Sequence, residues 1–257
     1  DTIQEKKAAG YRSQLMLSGQ LWPVHPHPHQ GECLSSWLVR IAHANGMKVQ
    51  TFCGEAFGRE FQVWNRDIER LRPEWLLETL SKKTATRYYD VRQTTFFPFE
   101  GRLFHHYRAA GVLRWALPLV MYHRKRKGHG MQYCPLCLKE DKDPYYRTAW
   151  RIAMYTFCPF HNVVMYDRCS FCGADVAYHR IELGKPEQID AESLVQCWNC
   201  ERLLSDAPAI PVDCWHVTSF KMWRRILKSI ARSFVNSGPV NYDRLLLLHQ
   251  ICKILSS

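Results

Sequence analysis

Four closely spaced pairs of cysteine and histidine residues constrain the fold of this chain more than any other feature. Two residues separate the members of each pair, which are Cys134 with Cys137, Cys158 with His161, Cys169 with Cys172, and Cys197 with Cys200. A structural zinc ion takes four thiolate or imidazole ligands in a tetrahedron, and one tight turn delivers two of them at this spacing. The sequence therefore predicts two zinc sites, each built from two of these half-sites.

The spacing leaves two pairings of the half-sites open. Sequential pairing gives a site of three cysteines and one histidine, followed by an all-cysteine site. Interleaved pairing would instead join the first and third half-sites in the all-cysteine site. Sequential pairing is favoured, and the intervals of twenty and twenty-four residues inside its sites can each hold a short helix or hairpin. A closed four-ligand site has no position for water or substrate, so both ions are expected to be structural and to contribute roughly 10 kcal/mol or more each to folding.

The cysteine count favours metal over disulfide bonds. The chain has 11 cysteines, and reducing compartments keep structural disulfides rare. Cys33 and Cys53 have no cysteine or histidine partner at ligand spacing, so they are expected to be buried thiols of the core. The chain shows no signal-peptide pattern and no apolar run of the roughly 18 residues that a membrane span needs. We therefore expect a cytoplasmic prokaryotic protein, associated with the nucleoid when it is bound to DNA.

No sequence motif supports catalysis. A zinc deaminase needs a His-x-Glu motif and a proline directly before its Cys-x-x-Cys knuckle, whereas Tyr133 and Arg168 precede two of the knuckles here. The sequence also contains no G-x-x-x-x-G-K-[ST] phosphate loop, which argues against an ATPase. Scattered carboxylates leave a nuclease site open, but no pattern indicates one. We expect a protein that is not an enzyme.

The charge balance favours an anionic partner. The formal net charge is +11, and the chain stays basic when seven thiolates and two divalent ions are counted, so nucleic acid is the expected partner. Two basic segments are candidate phosphate contacts, although such segments are most often only solvated. These candidate residues are Arg124, Lys125, Arg126, Lys127, Arg224, Arg225 and Lys228.

The N-terminal half shows the periodicity of two short helices. Apolar residues recur at helical spacing from Leu34 to Ala42 and again from Val49 to Phe57, with Asn45 and Gly46 between the runs. Ser35 or Ser36 is expected to cap the first helix. Two helices joined by a tight turn are compatible with a helix-turn-helix or with an ordinary helical hairpin.

The remaining pattern predicts a mainly α-helical chain with small zinc-stapled β and loop modules. Further helices are expected over 72–83, over 103–117, from about 215 to 236, and from 241 onward. We place domain boundaries to give an N-terminal helical domain over 1–130, two tandem zinc-finger modules over 131–205, and a C-terminal helical segment over 206–257.

Two stretches resemble the TniQ family of transposition proteins. The run YCPLCLKEDKDPYYRTAWRIAMYTFCPFHNVVMYDRCSFCG, residues 133–173, is similar to the family signature: a CPxCL start, an acidic turn, a Tyr/Trp-Arg segment, C-x-x-H and a C-x-x-C-G knuckle. The opening WPVHPHPHQGECLSSWLVRIAHANG is similar to the family's proline-containing lead-in to a Ser-Trp-Leu helix. The last half-site, CWNCE, departs from the pattern because it lacks the Pro and Gly of the earlier knuckles.

The resemblance implies a non-catalytic adaptor in target selection for DNA transposition, a form of DNA recombination. Family members carry a helix-turn-helix and zinc fingers. They join a target-recognising element to the AAA+ ATPase TnsC, which recruits the transposase. That element is DNA itself in TnsD-like members, or an RNA-guided CRISPR effector such as Cascade or a single-protein effector with its guide RNA. The implied partners are therefore TnsC, the effector, and DNA or RNA, with no membrane; a homodimer stays open.

Two other functions are compatible with the sequence. The chain is short beside TnsD-like members, which favours the CRISPR-associated kind. The main alternative is a stand-alone, zinc-containing, sequence-specific DNA-binding protein, and a nuclease is a third. A specific binder should prefer its site over random DNA by roughly a thousandfold or more. A nuclease should cleave DNA in the presence of magnesium or manganese.

Overall fold

A computed structural model describes residues 17–104, 106–122, 125–182, 193–213 and 216–232, with only the backbone given for 120–122, 125–127 and 193. Within these residues the α-helices are α1 (Leu34–Ala44), α2 (Val49–Phe57), α3 (Ile68–Leu71), α4 (Glu74–Thr84), α5 (Tyr88–Gln93), α6 (Pro135–Glu140) and α7 (Val217–Ala231). Short 3-10 helices cover Val63–Asn65, Phe97–Phe99, Thr148–Arg151, Tyr178–Arg180, Ser193–Val195 and Leu204–Asp206. Strands β1 (Val120–Tyr122) and β2 (Lys125–Lys127) pair antiparallel, with Val120 opposite Lys127.

The prediction of a mainly helical chain is confirmed for the described residues. The helices predicted near 34, 49 and 72 are present, and the one predicted from about 215 to 236 is present over Val217–Ala231. The helix predicted from 241, like residues 215 and 233–236, lies outside the described residues. The helix-turn-helix, the zinc fingers and the domain boundaries at 130 and 205 stay predictions. No helix in the described ranges has both the length and the hydropathy that crossing a membrane requires.

Helix α1 forms the centre of the N-terminal core. Its apolar positions Leu34, Trp37, Leu38 and Ile41 are fully buried, because they recur on one face of the helix. The prediction of a serine cap was wrong: Cys33 is the N-cap residue, and its side chain makes no capping bond. Two carboxylates outside the helix contact its first turn instead. The Ser35 N–H donates to Glu69 Oε1 at 2.8 Å, and the Ser36 hydroxyl donates to Glu32 at 2.9 Å.

The helix predicted over 103–117 is not formed. Turns and bends occupy the described residues of this stretch, and Gly111 and Trp115 take positive φ angles of 74° and 66°. The backbone pairs with a distant segment instead of with itself, because Leu117 N–H donates to Arg151 O at 2.8 Å and Ala153 N–H donates to Trp115 O at 2.7 Å. Tertiary pairing therefore overrides the helical pattern of the sequence.

A single cluster of buried residues joins the N-terminal helices to the cysteine-rich region. Tyr146 stacks on Tyr178 with ring centroids 4.2 Å apart, and the Cys33 N–H donates to Tyr146 O at 2.8 Å. The Arg151 side chain is fully buried and pairs with Asp67 at 2.6 Å. The metal-ligand candidates are thus anchored to the same core as α1.

Candidate metal centres

Four predicted ligands converge in a first cluster. The ligand atoms of Cys134, Cys137, Cys158 and His161 all lie within 4.8 Å of one another. The Cys137 and Cys158 sulfurs are 3.7 Å apart, and His161 Nδ1 lies 3.4 Å from Cys137 Sγ. Two sulfurs about 2.3 Å from a tetrahedral zinc ion would be separated by about 3.8 Å, and a sulfur and an imidazole nitrogen by about 3.6 Å. The cluster therefore has the edge lengths of a zinc tetrahedron, and its sulfurs are too far apart for a disulfide.

Short turns deliver these ligands in pairs. Cys134 is the N-cap of α6 and Pro135 its first residue. The fixed φ of proline suits that position, so the first helical turn brings Cys137 back beside Cys134. In the second half-site, Asn162 takes φ 57°, and its N–H donates to Cys158 O at 2.7 Å. The chain reverses there and turns His161 toward the three sulfurs.

Two charged residues support the first cluster from outside. His161 Nε2 lies 2.8 Å from Glu140 Oε2. If that nitrogen carries the proton and donates it, Nδ1 is left to bind metal, a common arrangement around zinc. Arg147 Nη2 donates to both carboxylate oxygens of Asp141, at 3.0 and 2.9 Å. Burial lowers the pKa of Arg147, but its interactions with Cys137, Tyr145 and Asp141 outweigh burial and the pKa is raised. This permanent cation beside Cys137 favours the thiolate that a metal requires.

The other four predicted ligands form a second cluster. The ligand atoms of Cys169, Cys172, Cys197 and Cys200 also lie within 4.8 Å of one another, with Cys169 and Cys200 sulfurs 3.7 Å apart and those of Cys172 and Cys197 3.6 Å apart. These distances again match the edges of a zinc tetrahedron. The structure thus groups all eight residues in the sequential order.

The final half-site forms a knuckle without glycine. In the third half-site, Gly173 has φ 73° and its N–H donates to Cys169 O at 2.9 Å. Glu201 closes the corresponding turn after Cys200. It has φ 61°, and its N–H donates to Cys197 O at 2.9 Å. A non-glycine residue in this left-handed region is strained. The conformation persists because the turn supplies a ligand pair.

The two unpaired cysteines predicted to be core thiols are indeed buried. Burial is the largest cause that raises the pKa of both Cys33 and Cys53 to about 12. Both therefore stay protonated at neutral pH, and neither behaves as a reactive thiolate.

The predicted nucleic-acid residues have different environments. Lys125, Arg126 and Lys127 form β2, whereas Arg124 lies outside the described residues. On α7, Arg224 Nε donates to Pro159 O at 2.8 Å, and Lys228 Nζ lies 5.9 Å above the Phe160 ring. Arg225 is exposed. Their contact with nucleic acid stays a prediction.

A carboxylate that the sequence analysis missed occupies the start of α2. Glu182 Oε2 accepts from Val49 N–H at 3.0 Å, and Glu182 Oε1 pairs with His43 at 2.6 Å. Burial raises the pKa of this carboxyl, but its bonds to His43 and Val49 outweigh burial and the pKa is lowered. Glu182, Glu140 and Arg147 were missed because they act across the fold, and no local spacing identifies them.

Comparison with known protein families finds a match to this chain. The family model described as TniQ matches residues 23–165, which is more than half of the chain and includes α1 to α6 and the first cluster. No curated protein matches the chain.

Proposed function

The chain belongs to the TniQ family of transposition-associated proteins, and from that premise we propose that it is a non-catalytic adaptor in target selection for DNA transposition. In this role it links a target-recognition complex, an RNA-guided CRISPR effector or target DNA, to the AAA+ ATPase TnsC that recruits the transposase. The observation that carries the proposal is the family match over 23–165, because this span contains both the N-terminal helices and the complete first cluster.

Rigid anchoring of the first cluster supports an adaptor role. Arg40 pairs with Glu32 at 2.8 Å and with Asp143 at 2.8 Å, which joins the lead-in, α1 and the loop after α6. Thr148 N–H donates to Gly31 O at 2.9 Å. A protein that connects two larger assemblies needs binding surfaces in a fixed relative orientation, and these contacts supply that rigidity.

We further propose that both clusters bind Zn²⁺. Three thiolates with one imidazole, and four thiolates, are common donor sets of structural zinc. The donor distances in both clusters match its tetrahedron. When bound, zinc would supply folding free energy and no chemistry on a substrate. Elemental analysis of protein purified without added chelator should find about two zinc ions per chain.

The environment of α2 favours the adaptor over a stand-alone DNA reader. In a DNA-reading helix-turn-helix, residues near the start of the second helix contact base edges, and helix N-termini often bind phosphate. Here the N–H of Val49 already donates to Glu182. The exposed residues Gln50 and Thr51 carry no charge, so this helix offers little electrostatic attraction to a phosphate backbone.

The adaptor role can be tested by reconstitution with TnsC and the effector encoded beside this gene. The purified chain should co-elute with TnsC, and leaving it out of a transposition reaction should abolish insertion at the target while TnsC and transposase remain competent for untargeted insertion. A thousandfold preference of the chain alone for one DNA site would support the stand-alone alternative instead. Cleavage of DNA by the chain with magnesium or manganese would overturn the non-catalytic proposal.

A further inference from the structure

Helix α7 carries a row of cations and no acidic residue of its own. Five basic residues lie between 216 and 232, and this stretch contains no Asp or Glu; the five are Lys221, Arg224, Arg225, Lys228 and Arg232. At 100° per residue they occupy roughly one 100°-wide stripe of the helix. The stripe is adjacent to the first cluster, because α7 packs on the turn between Cys158 and His161.

The five cations divide into two groups by their contacts. Arg224 donates to Pro159 O and Lys228 lies over the Phe160 ring, so both hold the helix on the metal-binding turn. Lys221, Arg225 and Arg232 are exposed, and none of the ion pairs found between described residues includes them. Three cations are therefore free to meet an external anion.

Helix stability does not explain this row. Cations in the last turn interact favourably with the helix dipole, which accounts for Lys228 and Arg232. Lys221 lies in the first half of α7 and Arg225 lies near its middle, where the dipole gives no such benefit. Self-repulsion along a helix without acidic neighbours is unfavourable, so an external anion is the simplest compensation.

The opposite face of α7 argues against a membrane as the source of that anion. An amphipathic helix that lies on a lipid surface inserts its apolar face into the bilayer. In α7 that face is already used: Leu227 and Ile230 are fully buried, and Phe220 stacks on Phe157 with centroids 5.2 Å apart. The exposed apolar side chains of α7 are Val217 and Met222, which is too little apolar surface to insert into a bilayer.

We propose that Lys221, Arg225 and Arg232 form a contact row for the phosphate backbone of duplex DNA, held in place by the first metal site. Their span is about 16 Å at 1.5 Å per residue, which matches about five phosphates of one strand at 3.4 Å each. The exposed positions of the row hold no aromatic ring that could stack on a base. The contact is therefore expected to be independent of sequence. This inference rests on the proposed adaptor function and assigns its DNA-facing surface.

The test compares two triple variants of equal charge. The row variant is Lys221→Gln/Arg225→Gln/Arg232→Gln. The control variant Arg66→Gln/Lys82→Gln/Arg87→Gln removes three exposed cations elsewhere. Binding to a fluorescent 30-base-pair duplex of random sequence is measured from 50 to 200 mM NaCl with zinc-loaded protein, and circular dichroism checks that both variants are folded.

We expect the row variant to lower the slope of log K against log salt by about 2 to 3, because each phosphate contact contributes about 0.9. The single variant Arg225→Gln should lower the slope by about 1, and the control variant should leave it within about 0.5. A row variant with the wild-type slope overturns the proposal, as does a control variant that lowers the slope equally.

Two further measurements separate the remaining outcomes. Loss of binding to phosphatidylserine vesicles in the row variant, with unchanged DNA binding, would identify a lipid surface and overturn the proposal. Co-elution with TnsC tests the adaptor function independently. A row variant that still co-elutes with TnsC but keeps its salt slope would refute the DNA row and leave the adaptor function intact.

Discussion

The two cysteine clusters have almost the same internal geometry but differ in how far solvent reaches one of their ligands. In the first, Cys134 and Cys158 are 0% exposed and Cys137 is 4% exposed. His161 is half-buried. In the second, Cys169 and Cys197 are each 2% exposed and Cys200 is half-buried, but Cys172 is exposed. The same four-ligand arrangement is therefore closed to solvent on its cysteine side in the first cluster, and open to solvent at Cys172 in the second.

The residues that contact the metal ligands also differ between the two clusters. Glu140 holds His161, and Arg147 lies beside Cys137 in the first cluster. Around the second cluster, Asn199 Nδ2 lies 3.6 Å from Cys172 Sγ. Outer residues orient the ligands and tune metal affinity. We infer that loss of the first ion unfolds the protein, whereas loss of the second ion has a local effect.

The largest expected effect is the loss of folding when a ligand of the first cluster is replaced, compared with the same change in the second cluster. Cys134→Ser should lose the first zinc ion and the fold, because the roughly 10 kcal/mol or more of a structural zinc site is comparable to a whole domain's stability. Cys172→Ser should lose one zinc ion and keep the core around Trp37 protected. Zinc content and hydrogen exchange measure both effects. A folded Cys134→Ser variant that retains two zinc ions would refute the ligand assignment.

The next prediction concerns removal of metal from the intact protein. A chelator at moderate concentration should first remove one zinc ion per chain, from the second cluster, where Cys172 is exposed. The near-ultraviolet circular dichroism of the buried tryptophans should be unchanged. The second equivalent should leave only with unfolding, because the first cluster opens only when the core does. Simultaneous loss of both ions would show that the clusters do not differ in accessibility.

Glu140→Gln tests whether the hydrogen bond between Glu140 and His161 strengthens zinc binding by the first cluster. The amide is a weaker acceptor for His161 Nε2–H, so zinc affinity of the first cluster should fall about 10- to 100-fold. Competition with a zinc-binding dye measures this change. Glu78→Gln, at an exposed residue on α4, is the matched control and should leave the affinity unchanged. Equal affinities of the Glu140→Gln variant and the wild type would mean that Glu140 does not tune the site.

The smallest expected effect compares the two knuckles of the second cluster. Gly173→Ala should destabilise the protein by about 1 to 2 kcal/mol through its positive φ alone, since a Cβ at this position meets no other atom within 4 Å. Glu201→Gly should stabilise it by up to about 1 kcal/mol, because the left-handed strain disappears. Urea denaturation of the zinc-loaded proteins measures both. A stabilised Gly173→Ala variant or a destabilised Glu201→Gly variant would contradict the backbone account of these turns.

Local features of the sequence were sufficient to identify the ligand pairs and most long helices. Each Cys-x-x-Cys or Cys-x-x-His pair forms within one turn, so its spacing alone reveals it. Helices α1 and α7 were predictable because their apolar residues repeat at 3 and 4. Short-range periodicity was misleading over 103–117, where Leu117 and Trp115 bond to a segment more than thirty residues away.

The sequence by itself determined which residues could bind metal, because ligand pairs and amphipathic helices depend on neighbours within a few positions. Only the tertiary structure decided how those pairs combine, which cluster is buried, and that Glu140, Arg147 and Glu182 act on distant partners. It also decided which cations of α7 are engaged and which are free. The physical reason is that burial and long-range pairing depend on how remote segments pack, and local spacing carries no record of that packing.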